Sequence, residues 1–403
     1  MPERSTNWLA PELRTTFYYL TIFATSGAFT VYGGIWFTSK GLDSGQIGII
    51  NALPVFVMLV LNMLVGRIAD KASDWRQVIV LGSVLGAAAS TGLFFVHGFW
   101  GILIVWTLSS IPFSAIGPVV DAATMRMTRR NGTDYGAIRA WGTVGYMVAI
   151  YLTGQIVTLF GGGVFLPFFV GLAVLRGLVS LGLPNFRAPK EERTLAAKGA
   201  SRLREVMKPW FLLPLVGWSM VFATHLILNA FQGLLWKEQG IPELVIGLLI
   251  ALGAASEAGM MFVFRRFNTR FPARMLILAS AVVSVVRWIA MGFSPDVPWL
   301  VALQLLHSVT FALGFMGCVH FIANWTSEDI AAEAQSFFQV LQQGFSVVAL
   351  VVFGWLIGLM GAHAYFAAAG FAAAGGVLIW LSLRLMQPRT QEASVHAPAD
   401  QPG

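Results

Sequence analysis

Residues 185–208 read NFRAPKEERTLAAKGASRLREVMK, the longest polar stretch in an otherwise apolar chain. Seven of these residues are basic and three are acidic. On either side the sequence runs in apolar blocks of about 20 residues, the length that crosses a bilayer as an α-helix. Six blocks precede the stretch, at 15–37, 44–65, 77–96, 99–123, 136–160 and 163–184. Six follow it, at 211–236, 243–264, 273–293, 297–322, 333–359 and 363–385. The expected fold class is therefore all-α: a polytopic membrane protein with twelve transmembrane helices in two six-helix halves. The expected organisation is an N-terminal half at 1–184, a cytoplasmic linker at 185–208, a C-terminal half at 209–386 and a cytoplasmic tail at 387–403. Blocks this long exclude a β-barrel, whose strands alternate over about 10 residues.

Composition agrees. The 403 residues are 57% hydrophobic and 11% charged, whereas soluble domains carry about 25% charged residues. A single cysteine, Cys318, excludes a disulfide scaffold and paired-cysteine metal sites. The net charge of +7 could point to nucleic acid, but its placement does not. Arg139, Arg176 and Arg287 fall well inside blocks, Lys40 and Lys237 fall in odd-numbered loops, and the other 21 of 26 basic residues lie on the termini and even-numbered loops or, for Arg274 and Arg384, at the block edges beside them. Basic residues near span ends stay in the cytoplasm. Both termini are thus expected to be cytoplasmic, in the cytoplasmic (inner) membrane, with no nucleic-acid partner. No cleavable signal peptide is read, because the first block is long enough to span and follows a mix of Glu3, Arg4, Glu12 and Arg14. The triplets Asn131-Gly132-Thr133 and Asn324-Trp325-Thr326 match a glycosylation acceptor but fall on the cytoplasmic side. There is no phosphate loop, zinc-protease motif or nucleophile elbow. Neither ATP-driven transport nor an enzyme is expected, and no cofactor or metal.

The halves also echo each other. Gly41, Ile47, Gly48, Ala52 and Leu53 recur 199 residues later as Gly240, Ile246, Gly247, Ala251 and Leu252. Each set leads through a block into a basic loop, Gly66–Arg76 and Arg265–Arg274. In transporter folds built from such repeats, the substrate site lies at mid-membrane between the halves.

Charges inside the apolar blocks carry the functional argument, because each costs about 2.5–3.5 kcal/mol on insertion scales. They are Asp121 and Arg139 in blocks four and five, Arg176 in six, Glu257 in eight, Arg287 in nine and His307 in ten. His225 and Asn229 stand one turn apart in block seven, on one helix face. Arg139 is the first choice to anchor a carboxylate through its guanidinium fork, and Arg287 the second. Trp141, Tyr146, Phe231 and Trp236 could wall an aromatic substrate, although packing is the commoner role for any one of them. Arg176 is expected to snorkel to the cytoplasmic interface, and His320 to lie at that interface.

Gly66, Asp70, Lys71 and Arg76 resemble the major facilitator signature G-x-x-x-D-[RK]-x-G-[RK]-[RK], without its second glycine. The resemblance implies a conformational latch, with Asp70 near a helix N-terminus; an ordinary charged turn is the alternative. The stretch from Asp134 to Gly145, DYGAIRAWGTVG, resembles the DYG-x-x-R-x-WG segment of the 3-phenylpropionic acid transporters. Val285-Val286-Arg287-Trp288 and Gln304-Leu305-Leu306-His307 resemble that family's VVRW and Q-x-LH. This family is related to lactose permease and the nucleoside–proton symporters. The relation implies sugar- or proton-handling roles for Asp121, Arg139, Glu257, Arg287 and His307, and a stacking role for Tyr146. One position departs: where the permease has a proton-carrying glutamate, three residues after the span-ten histidine, this chain has Thr310. Glu257 is the carboxylate left in the C-terminal half to carry a proton.

The expectation is a secondary transporter working by alternating access as a single chain in the bilayer. Protons would drive uptake of a small-molecule substrate, an organic aromatic acid. A proton-coupled sugar or nucleoside permease, an exporter of apolar compounds and a non-transporting sensor are the alternatives.

Overall fold

The computed structural model describes residues 10–186, 208–326 and 328–385, apart from the side chains of 62–71, 265 and 328–333. Most of the expected linker and all of the tail at 387–403 lie outside the described residues. Among the described residues twelve helical spans form: Pro11–Ser39, Ser44–Lys71, Trp75–Thr91, Gly98–Asn131, Tyr135–Phe160, Phe165–Leu181, Pro209–Glu238, Glu243–Asn268, Ala273–Gly292, Val297–Trp325, Glu328–Met360 and Ala364–Arg384. They are called spans one to twelve below. Eleven stretches are apolar and long enough to cross a membrane, and the last of these, Ala334–Arg384, holds spans eleven and twelve around a turn at Gly361–His363. No strand occurs among the described residues.

Three spans are interrupted. Span four breaks at Ile116, between Gly98–Ala115 and Gly117–Asn131. Pro112 and Pro118 flank the break, and proline removes a helical donor. Spans seven and ten contain π-helical segments at Leu228–Gln232 and Ser308–Leu313. Such one-residue insertions recur at functional sites.

The loop after span two is shorter than the sequence suggests, and Asp70 lies at the end of span two rather than at a helix N-terminus. Span two runs to Lys71, so Gly66, Asp70 and Lys71 belong to its final turns, and the loop shrinks to three residues, 72–74. The side chains of Asp70 and Lys71 lie outside the described residues. The next helix N-terminus is capped by Asp74, which accepts from Arg76 N at 2.7 Å and from Phe186 N at 3.2 Å. Arg76 donates to the carbonyls of Leu181 and Leu183, both at 2.7 Å. A cation there satisfies orphan carbonyls and the negative end of the span-six dipole. Arg274 repeats the device in the second half, donating from span nine to the Ser382 carbonyl of span twelve.

The repeat extends to backbone detail. Gly41 and Gly240 both take the left-handed conformation, φ 82° and 80°. In each turn the next residue reaches back to close a Schellman-type bond: Leu42 N to Phe37 O at 3.3 Å, and Ile241 N to Trp236 O at 3.0 Å.

The same symmetry seals one side of the molecule, the side away from the termini. There span one crosses span seven, span two crosses span eleven, and span eight crosses span five, each through glycine laid on a carbonyl. Gly34 lies on Ala230 while Gly233 lies on Val31; a Cβ on Gly34 would sit 2.7 Å from the Ala230 oxygen. Gly48 lies on Leu350, and its counterpart Gly247 lies on Ile150. A Cβ on Gly354 would meet the Ser44 oxygen at 2.6 Å, and one on Gly154 the Glu243 oxygen at 3.0 Å. Helices in lipid associate mainly by such close van der Waals contact, because lipid tails are as apolar as side chains.

Candidate functional site

Each half contributes one polar group to the interior. In the N-terminal half, Asp121 follows the break in span four by five residues. Its Oδ1 accepts from the Tyr19 hydroxyl at 2.6 Å and stands 3.7 Å from Arg139 Nε. The Arg139 guanidinium lies over the Phe23 ring at 4.2 Å and 5.7 Å from the Tyr19 ring centre. The pair is open: 35% of the Arg139 side chain and 41% of the Asp121 side chain remain exposed.

The C-terminal group is closed around Arg287, which is 0% exposed. Nη1 donates to Thr310 Oγ1 and to His307 Nδ1, both at 3.0 Å, and Nη2 donates to Gln304 Oε1 at 2.6 Å. Gln304 Nε2 in turn donates to the Leu249 carbonyl at 2.9 Å, which fixes the amide with its oxygen toward the arginine. All these partners are neutral acceptors. A guanidinium only donates, so His307 Nδ1 must accept and the neutral ring carries its hydrogen on Nε2. That nitrogen stands 3.5 Å from Glu257 Oε2. The result is a fixed line, Arg287–His307–Glu257, running from the core to a carboxylate whose side chain is 26% exposed.

His225 packs beside this line, its ring 5.6 Å from that of His307 and 5.0 Å from that of Trp288. Its Nδ1 lies 3.0 Å from the Val221 carbonyl. Trp288 donates to Thr224 Oγ1 at 2.9 Å. Tyr146, on span five, lies beside Thr30 and within electrostatic reach of Glu257, so it stands where the halves face each other.

Expected residues thus fall into two clusters, with Asp121 and Arg139 in one, and His225, Glu257, Arg287, His307 and Thr310 in the other. Thr310 supplies one of Arg287's acceptors. Asn229 does not share the surroundings of His225: it is exposed where His225 is 3% exposed, and it lies within the π segment that alters the register. Phe231 and Trp236 are buried in the general packing, at 0% and 1%, and Trp141 is 49% exposed. His320, near the end of span ten, lies 3.2 Å from Asn268. Arg176 corrects the snorkelling expectation, for it is 4% exposed and donates to the Phe113 carbonyl at 3.2 Å. Sequence reasoning missed Tyr19 and Phe23, whose rings look like any other aromatics in span one. It quoted Gln304 only as part of a motif, although a glutamine in an apolar block is itself a signal.

The model of the MFS_1 like family matches residues 13–368. The chain belongs to that family. This MFS_1 like chain is 28% identical over 374 residues to a probable 3-phenylpropionic acid transporter of Escherichia coli (strain K12), covering 89% of this chain and 93% of that protein. It is 26% identical over 368 residues to the maltose permease of Geobacillus stearothermophilus, covering 88% and 89%. The crystal structure of the nucleoside transporter NupG superposes with a TM-score of 0.80 at 17% identity, over 93% of this chain and all of that one. A bacterial homolog of the lysosomal transporter Spinster, solved inward-facing, gives 0.75 at 15% identity over 94% of this chain. The fold is the major facilitator fold, and this MFS_1 like protein is a secondary transporter of that type, a multi-pass membrane protein rather than an enzyme.

Proposed function

We propose that the protein is a proton-coupled importer of a small aromatic acid, resident in the cytoplasmic membrane with both termini inside. The carrying observation is the Arg287–His307–Glu257 line. It ties a buried cation through an oriented imidazole to a carboxylate partly open to the cavity. Glu257 is the group that takes and releases the proton, in the place left empty by Thr310. With the termini cytoplasmic, the sealed side is external and the arrangement is inward-facing. The halves at 1–184 and 209–386 then rock about the site, with the linker at 185–208 joining them.

The carboxylate anchor is Arg139. Arg287 is enclosed and holds three side-chain acceptors, whereas Arg139 makes one long ion pair and is a third exposed. Phe23 and Tyr19 flank its guanidinium and suit an aryl group. The name of the E. coli relative agrees with this reading. The names of the maltose and nucleoside permeases favour the second reading, a proton-coupled sugar or nucleoside permease.

Arg139→Lys separates the two. Lysine keeps the charge and loses the planar fork. KM for an arylpropionate in proteoliposomes is expected to rise about tenfold, with kcat little changed, the loss expected for one charge-assisted bond. An unchanged KM for the acid, together with saturable uptake of maltose or a nucleoside, would favour the second reading.

A further inference from the structure

Arg176 is the intramembrane charge that the proposed transport cycle leaves unused. It sits on span six, 4% exposed, and forms no ion pair among the described residues. Its Nη2 donates to the Phe113 carbonyl at 3.2 Å, and its guanidinium lies 4.1 Å from the centre of the Phe113 ring. Tyr18 of span one lies against it. Tyr18 is itself tied to span three, its hydroxyl 2.5 Å from Ser83 Oγ.

Phe113 belongs to the last turn of Gly98–Ala115, the upper piece of span four. The final carbonyls of a helix lack intrahelical donors and carry the negative end of its dipole. Here that end lies inside the membrane, because the span breaks at Ile116. The Pro112 and Ser114 carbonyls are met by Ile116 N, and the Phe113 carbonyl is met by Arg176. A buried cation without a carboxylate partner is costly in lipid, so its placement on this carbonyl has a specific use. The lower piece, Gly117–Asn131, carries Asp121, which is held by Tyr19, the neighbour of Tyr18. The contacts close a ring: Arg176 to Phe113, across the break to Asp121, then to Tyr19 and Tyr18, and back to Arg176.

We propose that Arg176 is a positioning residue that fixes the break in span four and so sets Asp121 against Tyr19 and Arg139 for substrate binding. This inference rests on the reading of Asp121 and Arg139 as the substrate-handling pair. Arg176 acts through the angle between the two pieces of span four. Its loss weakens substrate binding rather than turnover.

The test uses the full chain in proteoliposomes, with arylpropionate uptake measured per folded molecule for Arg176→Gln, Arg176→Lys and Asp121→Asn. Arg176→Gln is expected to raise KM about tenfold with kcat within about twofold, because a shift of about 1 Å in a positioned group costs as much as a hundredfold. Arg176→Lys retains a cation for one carbonyl and is expected to raise KM only about threefold. Unchanged KM in both variants overturns the proposal. If Arg176→Gln does not fold, Arg176→Lys decides alone: raised KM supports the proposal, and unchanged KM overturns it. Undiminished uptake by Asp121→Asn removes the site reading itself, and the proposal with it; loss of uptake in Asp121→Asn with normal KM in both Arg176 variants overturns the Arg176 role alone.

Discussion

Glu257→Gln is expected to lose accumulation and keep exchange. A proton gradient does work on a substrate only if some group on the carrier must be protonated to cross with it. Glu257 is placed for that role, with His307 Nε2 3.5 Å away and part of its side chain open. If one proton crosses with each neutral-equivalent substrate, a gradient of one pH unit supplies about 1.4 kcal/mol and sustains about tenfold accumulation. Glutamine keeps much of the size and polarity of the side chain and cannot carry the proton. The variant should therefore equilibrate substrate, with a ratio of about one at any imposed gradient, while counterflow of labelled against unlabelled substrate continues. Accumulation by the variant equal to that of the native protein would remove Glu257 from the coupling role. His307→Gln is informative alongside it, because it cuts the connection from Arg287 while leaving the carboxylate.

Gly354→Leu combined with Gly154→Leu should unseal the side away from the termini. These glycines are symmetry counterparts in the crossings of spans two with eleven and five with eight. The contacts they would violate are with backbone, the Ser44 and Glu243 oxygens, which cannot rotate away like a side chain. Overpacking a close-packed contact costs about 1–3 kcal/mol. The cost falls on the sealed state, so the population open to that side should rise about tenfold or more. Thr30→Cys supplies a reporter between the halves, in a Cys318→Ser background that removes the single native cysteine. A membrane-impermeant maleimide added from the sealed side should label it about tenfold faster in the double-leucine protein. Equal labelling rates would mean that these crossings do not hold the seal.

The spans were legible because twelve apolar blocks and one long polar stretch leave few alternatives. The turn glycines at 41 and 240 were legible as a repeat, and the structure shows why they recur: each holds a left-handed turn with the same closing bond. Helix ends were less so. Span two continues through Asp70 and Lys71 because polar residues extend a helix past the membrane as readily as they end it. The charged members of the site were found because charge in an apolar block is rare. Their pairing was not legible, because Tyr19, Asp121 and Arg139 come from three different spans, and only packing brings them together. Arg176 shows the limit most clearly. Its place inside block six suggested a side chain snorkelling to the cytoplasmic interface, but the broken helix opposite offered a carbonyl inside the membrane. The π segments at Leu228–Gln232 and Ser308–Leu313 left no mark in the hydrophobic pattern.

The most direct measurement is accumulation in proteoliposomes of the native protein under an imposed pH gradient, with 3-phenylpropionate, maltose and a nucleoside tested in parallel. The account predicts that the acid accumulates, by about tenfold per pH unit, that the other two do not, and that collapsing the gradient with a protonophore ends it. Accumulation of maltose or the nucleoside instead, or acid uptake indifferent to the gradient, would contradict it.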